Sequence, residues 1–201
     1  MSKFENMKLH LSLNFDRMNN FLEIDSRDEV CIIDFQGQSF IIISIQLVDN
    51  TFTIRQNGID TTHLDFDDSK VFKITNANLI GFIPIDGRNG LLGFGKSHCD
   101  FVFFDENNFC FVEFKLNATS LREGSISNNR RKAIDQLKNT IALFNAKLDR
   151  NYQNLVLEAY VCTPEIYPRE NASWQELAKD FLEEVGFQIF EKIEKSVFKL
   201  D

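Results

Sequence analysis

No run of apolar residues in the chain approaches the roughly eighteen that a membrane-spanning helix needs, so none is expected. The first residues, Met1-Ser2-Lys3-Phe4-Glu5-Asn6-Met7-Lys8, lack the apolar segment of a secretory signal. A cytoplasmic protein is expected. The four cysteines, Cys31, Cys99, Cys110 and Cys162, have no C-x-x-C spacing, and the three histidines, His10, His63 and His98, are scattered. That pattern argues against zinc and for buried, reduced thiols, because each cysteine lies in or beside an apolar run. No phosphate-binding loop is expected around Gly90, Gly93 and Gly95, and no serine-hydrolase or cysteine-protease motif is found. Basic residues are outnumbered 22 to 30, giving a net charge of −8 and a pI near 5.0. Such a composition argues against a freestanding, sequence-independent DNA binder.

What the chain does have is phenylalanine, 21 of them against one tryptophan. They alternate within strand-like runs and fall on helix core positions, so they read as core filler and not as a stacking set for bases. With 201 residues, 43% of them hydrophobic, the chain can bury a sizeable core. One domain with an elaborated N-terminal part is expected: a β-rich region over 1–85, suited to dimerisation or docking of a protein partner, and a core over 86–201. Strands are expected at Val30–Ile33, Phe40–Leu47, Thr51–Arg55, Ile59–Phe66, Val71–Ile74 and Leu79–Ile83, with a short helix near Phe15–Leu22. The first 85 residues hold seven basic against twelve acidic side chains, which suits them poorly to contact with DNA.

The most informative segment is Cys99 to Lys115, C-D-F-V-F-F-D-E-N-N-F-C-F-V-E-F-K. Phe101-Val102-Phe103-Phe104 and Phe109-Cys110-Phe111-Val112 are continuous apolar runs, as in strands covered on both faces. Asp105-Glu106-Asn107-Asn108 between them is a turn cluster. A four-residue loop puts Asp100 opposite Glu113; a two-residue loop puts it opposite Lys115. Either way, period-two alternation sends Asp100, Glu113 and Lys115 to one face at one end of the hairpin. Carboxylates facing each other in a desolvated wall repel unless a positive charge sits between them, and a divalent cation held by a few oxygens plus water answers that need.

This arrangement resembles the core of the PD-(D/E)XK nuclease superfamily, with Asp100 opening one strand and Glu113-Phe114-Lys115 as E-x-K on the next. The resemblance spans roughly Gly95 to Thr163. Cys99 stands where the family's namesake proline would be. It implies a restriction-endonuclease-like α/β (α+β) core, a mixed β-sheet flanked by helices. It also implies Mg²⁺ (or Mn²⁺) on Asp100, Glu113 and the Phe114 carbonyl, with Lys115 acting on the attacking water. Gln136, in Lys132-Ala133-Ile134-Asp135-Gln136-Leu137, matches a glutamine that many members lean toward the site. A further acid on a preceding helix is sought at Glu23 or Asp86. The implied function is a metal-dependent nuclease hydrolysing phosphodiesters, DNA before RNA, in a setting such as a prokaryotic defence or mobile-element system. The alternative is a nuclease-derived, non-catalytic binding or regulatory subunit of a larger complex.

Downstream, Asn117–Asn129 reads as a polar loop. Ile134, Leu137, Ile141, Phe144 and Leu148 mark one face of a helix from about Arg130, capped by Asn128 or Asn129. Between Leu116 and Arg150 seven basic residues stand against three acidic ones, a local reversal of the overall charge. Arg122, Arg130, Arg131 and Lys132 are the candidates for nucleic-acid contact. His98, two residues before Asp100, would share its strand face. A strand at Leu155–Cys162 follows, then a helix opened by the capping box Ser173-Trp174-Gln175-Glu176 and stopped at Gly186, with Phe187–Phe190 and Val197–Leu200 as final strands or a broken second helix.

Overall fold

The central hairpin is apolar on both sides because both sides are covered. The structure, a computed structural model, describes residues 1–93, 97–169 and 171–197. Its strands are β1 (Glu23–Asp25), β2 (Glu29–Asp34), β3 (Ser39–Gln46), β4 (Thr51–Gln56), β5 (Ile59–Leu64), β6 (Val71–Thr75), β7 (Ile80–Pro84), β8 (Phe101–Phe104), β9 (Asn108–Phe114), β10 (Val156–Cys162), β11 (Ile189–Phe190) and β12 (Glu194–Ser196). The helices are α1 (Lys3–Asn14), α2 (Glu123–Leu148) and α3 (Ala172–Val185). The fold is mixed α+β, two mixed sheets with flanking helices. The first sheet runs β1-β7-β8-β9-β10-β11 and the second β12-β6-β2-β3-β4-β5.

In the first sheet β8 and β9 are antiparallel, whereas β9, β10 and β11 are parallel, with α2 as the crossover from β9 to β10. One face, carrying Val102, Phe104, Phe109 and Phe111, meets all three helices through Phe4 and Leu11, Leu137 and Phe144, and Phe181. The opposite face, with Phe101, Phe103, Cys110 and Val112, meets Val30, Ile32 and Phe72 of the second sheet. Phe72 lies with its ring 5.8 Å from both Phe101 and Phe103. Period-two alternation therefore sends neighbouring phenylalanines into two different cores, and truncating one of them to alanine would cost about 3–5 kcal/mol. All four cysteines are free and buried. Among the described residues no helix is long and apolar enough to cross a membrane.

Several elements differ from the sequence expectation. The first helix spans Lys3–Asn14 instead of Phe15–Leu22, capped by Ser2 and anchored by Phe4, Met7 and Leu11; only a short 3₁₀ turn, Met18–Asn20, falls in the expected stretch. Helix α2 begins at Glu123, so the polar loop is confined to 117–122 and Asn128 and Asn129 lie inside the helix. Its first turns bury only Ile126 and Arg130, which is why no apolar stripe announced them. Helix α3 is capped by Asn171, whose Oδ1 accepts the Trp174 N–H at 2.9 Å, and not by Ser173. The sheets also ignore a boundary at residue 85: β1 and β7 join β8 in the first sheet, and the C-terminal β12 joins the second. Beyond Val197, the expected last strand lies outside the described residues.

Arg130 is a core residue, which overturns its expected place on a nucleic-acid-binding face. Its side chain is fully buried and forks onto both oxygens of Glu191, at 2.9 and 2.7 Å, with further bonds to the Pro168 carbonyl and Asn171. The rings of Tyr167 and Trp174 cover the guanidinium. A planar, permanently charged fork suits a buried carboxylate partner far better than a lysine would. The pair clasps the N-terminal half of α2 to the end of β11, and the bonds to Pro168 and Asn171 tie it to the loop entering α3. Arg130→Ala, leaving Glu191 buried and unpaired, is expected to lower unfolding stability by about 3–5 kcal/mol in urea titrations. Exposed Arg131→Ala is expected to stay within about 0.5 kcal/mol. Equal small losses for the two would contradict the clasp.

Candidate active site

The hairpin closes as a four-residue loop, with Phe104 paired to Phe109 and Phe101 to Val112. Asp105 Oδ1 ties the turn by accepting the N–H groups of Asn107 and Asn108 at 2.5 and 2.8 Å. At the far end the regular ladder stops. The Asp100 carbonyl turns to the Ile85 N–H at 2.9 Å, and its own N–H goes to the Val112 carbonyl at 3.1 Å. Its side chain replaces the missing rung, Oδ2 accepting the Phe114 N–H at 2.5 Å.

Glu113 follows Phe109 and Phe111 at period two and so lies on the helix side, where Lys115 and Gln136 meet it. The Lys115 ammonium donates to Glu113 Oε1 and, at 2.8 Å, to Gln136 Oε1. Gln136 Nε2 donates to the His98 carbonyl at 2.9 Å. One turn further along α2, Thr140 accepts the Cys99 N–H at 2.8 Å and Asn139 donates to the Ser97 carbonyl at 3.0 Å. The helix thus holds the 97–99 segment and, through it, the start of β8. Asp100, Glu113, Lys115 and Gln136 come together as expected. His98 is buried and serves the group through its carbonyl.

The electrostatics follow from burial. The Glu113 side chain is 1% exposed and Lys115 20%. Burial pushes the Asp100 carboxyl up to about 7, against the pull of the Phe114 N–H. Burial first, and the neighbouring Asp100 second, hold Glu113 well above the ordinary carboxylate range despite Lys115. The two carboxyl groups act on each other's charge, so a proton on either one relieves the repulsion.

The donor set suits a hard cation. Glu113 Oε2 is buried and accepts no hydrogen bond, an orphaned oxygen on a carboxylate that also feels the charge of Asp100. Among the described residues no group of three His, Cys, Asp or Glu side chains is placed to hold a metal ion. Two carboxylates are, however, what Mg²⁺ commonly takes from a protein, leaving the rest of its shell to water and substrate.

Of the two candidates for a further acid, Glu23 lies elsewhere. It shares a row of the sheet with Phe82, Phe103 and Cys110, three residues along from Asp100, or about 10 Å. Asp86 is beside the site, its N–H 3.4 Å from the Asp100 carbonyl, with Oδ1 accepting the Gly87 N–H at 2.8 Å. The acid that sequence reasoning missed is Asp34, at the end of β2 in the second sheet. Its charge acts on Asp100, and it lines a cleft of about 160 Å³ together with Lys70, Phe114, Lys115 and Asn117. No local pattern distinguishes it from any other aspartate beside a turn.

Of the expected nucleic-acid contacts, Arg122, Arg131 and Lys132 are exposed and Arg130 is not. Lys132 precedes Gln136 by one turn on the same face, whereas Arg122 lies about 21 Å from Gln136 along the axis. The string Gly90-Leu91-Leu92-Gly93-Phe94-Gly95-Lys96-Ser97 does carry the G-x-x-x-x-G-K-S spacing that the glycine reading passed over. That spacing binds phosphate when a helix follows it; here Ser97 leads into β8, and Phe94–Lys96 lie outside the described residues.

No protein-family model and no curated protein matches the chain. The solved structure of EndoMS in apo form aligns with 97% of this chain and 97% of its own, at 12% identity and a TM-score of 0.26, a likeness too slight to carry an argument.

Without a cation, the raised Asp100 and Glu113 values make the folded state bind protons that the unfolded chain has released. Stability therefore falls as pH rises from about 4 towards 7. Melting temperatures in EDTA are expected to drop across that window, and Asp100→Asn or added Mg²⁺ to flatten the drop. A pH-independent melting temperature in EDTA would contradict the geometry.

Proposed function

We infer that the chain is a divalent-cation-dependent nuclease that hydrolyses phosphodiester bonds in DNA, with Mg²⁺ or Mn²⁺ as cofactor. The observation that carries this reading is the buried Asp100–Glu113 pair, with Glu113 Oε2 orphaned and Oε1 held by Lys115, itself fixed by Gln136, at the end of a sheet otherwise closed by apolar side chains. Buried charge without function is a pure loss of stability, and a cation is the natural counterweight.

In this reading Asp100, Glu113 and the Phe114 carbonyl would hold the ion. A bound cation would supply Lewis acidity toward a phosphate oxygen. Lys115, with its ammonium at the rim of the pair, would orient the attacking water or meet the charge developing at phosphorus. Gln136 fixes the Lys115 ammonium and, through the His98 carbonyl, the strand that presents Asp100. Lys132, Arg131 and Arg122 would contact the phosphate backbone, Lys132 nearest the site. The second sheet would serve dimerisation or a protein partner.

Purified protein incubated with plasmid, linear duplex, single-stranded DNA or RNA, with Mg²⁺, Mn²⁺ or EDTA, tests the proposal. Cleavage of DNA that requires the cation is expected. It should fall at least about 10²-fold in Asp100→Asn, Glu113→Gln and Lys115→Ala, and roughly tenfold in Gln136→Ala. Undiminished cleavage by the three variants would place activity elsewhere. Intact, cation-binding protein that cleaves nothing would instead favour a nuclease-derived binding subunit.

A further inference from the structure

Lys115 faces a conflict if Glu113 holds a cation. In the structure its ammonium rests on Glu113 Oε1 and the neutral Gln136 oxygen. A divalent ion on Asp100 and Glu113 would compete for the same carboxylate and repel the ammonium. Lys115 then needs another anion within reach.

The second sheet offers one. Asp34 ends β2 opposite Ser39 of β3, and its carboxyl faces the N–H groups of Gly37 and Gln38 within the same hairpin. One of its oxygens, Oδ1, is buried without a hydrogen-bond partner. Burial raises this carboxyl and the positive charge of Lys115 lowers it, and both residues line the 160 Å³ cleft. Lys70 also lines the cleft but lies 3.7 Å from Asp67.

The hairpin carrying Asp34 is seated against the loop that follows β7. Gln38 Oε1 accepts the Asn89 N–H at 2.9 Å. Gly87, at φ +94°, lies so close to the hairpin tip that a Cβ there would fall 2.5 Å from Gln38 Oε1 and 2.6 Å from the Gly37 carbonyl. Only glycine permits both that backbone conformation and that approach.

We propose that Asp34 is the positioning residue that takes over the Lys115 ammonium when a cation occupies Asp100 and Glu113, so that the site is complete only with the two sheets docked. The proposal rests on the ion-binding reading above. Asp34 touches neither ion nor substrate in this scheme; it releases Glu113 by holding the lysine.

The test is a double-mutant cycle read by calorimetric titration of Mg²⁺ into metal-free protein, without substrate. Asp34→Asn is expected to weaken Mg²⁺ binding roughly tenfold, the scale typical of residues acting behind metal ligands. Lys115→Met, which removes the competing ammonium, should abolish that loss, so that Asp34→Asn costs little in its background. Asp34→Glu should bind nearly as wild type, and melting temperatures in EDTA check that every variant folds. An equal loss in both backgrounds would mean that Asp34 acts on the ion directly, and no loss that it has no part; either result overturns the proposal. If wild-type protein itself binds neither Mg²⁺ nor Mn²⁺, the ion-site reading fails, and this inference with it; wild-type binding without coupling removes only the inference.

Discussion

A β-sheet covered on both faces has room for polar chemistry only where its strands end. In this protein the covering is near complete: helices close one face of the β8–β9 hairpin and the second sheet closes the other. Asp100 and Glu113 occupy the end that remains, each raised by burial and Glu113 also by the charge of Asp100. A proton, the Lys115 ammonium or a cation must relieve them, and the surrounding architecture arranges which of these can enter.

Helix α2 does most of that arranging. Through Gln136, Asn139 and Thr140 it holds the segment 97–99 that delivers Asp100, and through Gln136 it also holds Lys115. The helix is fixed in turn by Arg130, whose buried pairing with Glu191 joins its N-terminal half to the ends of the parallel strands. From the other side, Gly87 and Asn89 receive the β2–β3 hairpin and bring Asp34 to the same cleft. The second sheet is thus more than an appended layer, since one of its carboxylates feels the charge of the site.

What could be read from the amino-acid order was what depends on short-range pattern. The turn chemistry of Asp105 to Asn108 and the apolar runs on either side placed the hairpin and the common face of Asp100, Glu113 and Lys115, while leaving two registers between which the structure decides. The spacing of Ile134, Leu137, Ile141 and Phe144 placed the half of α2 that touches the sheet, and with it Gln136. The remainder depends on partners distant in sequence. Arg130 looked like its basic neighbours because nothing local tells of Glu191, 61 residues away, or of the rings of Tyr167 and Trp174. Asp34 lies on another sheet, and its meaning appears only when the hairpin docks. The first turns of α2 carry few buried side chains, so their helicity left no hydrophobic signature. Which strands of each half of the chain join which sheet is likewise set by pairing between distant segments.

The central claim is that the two buried carboxylates share a cation. Crystals grown or soaked with Mn²⁺, with diffraction recorded at the manganese absorption edge, test it most directly. The account predicts an anomalous peak in contact with a carboxylate oxygen of Asp100 and of Glu113, with Lys115 displaced from Glu113. Well-ordered crystals with no peak there, and with both acids protonated or paired only to protein groups, would contradict it.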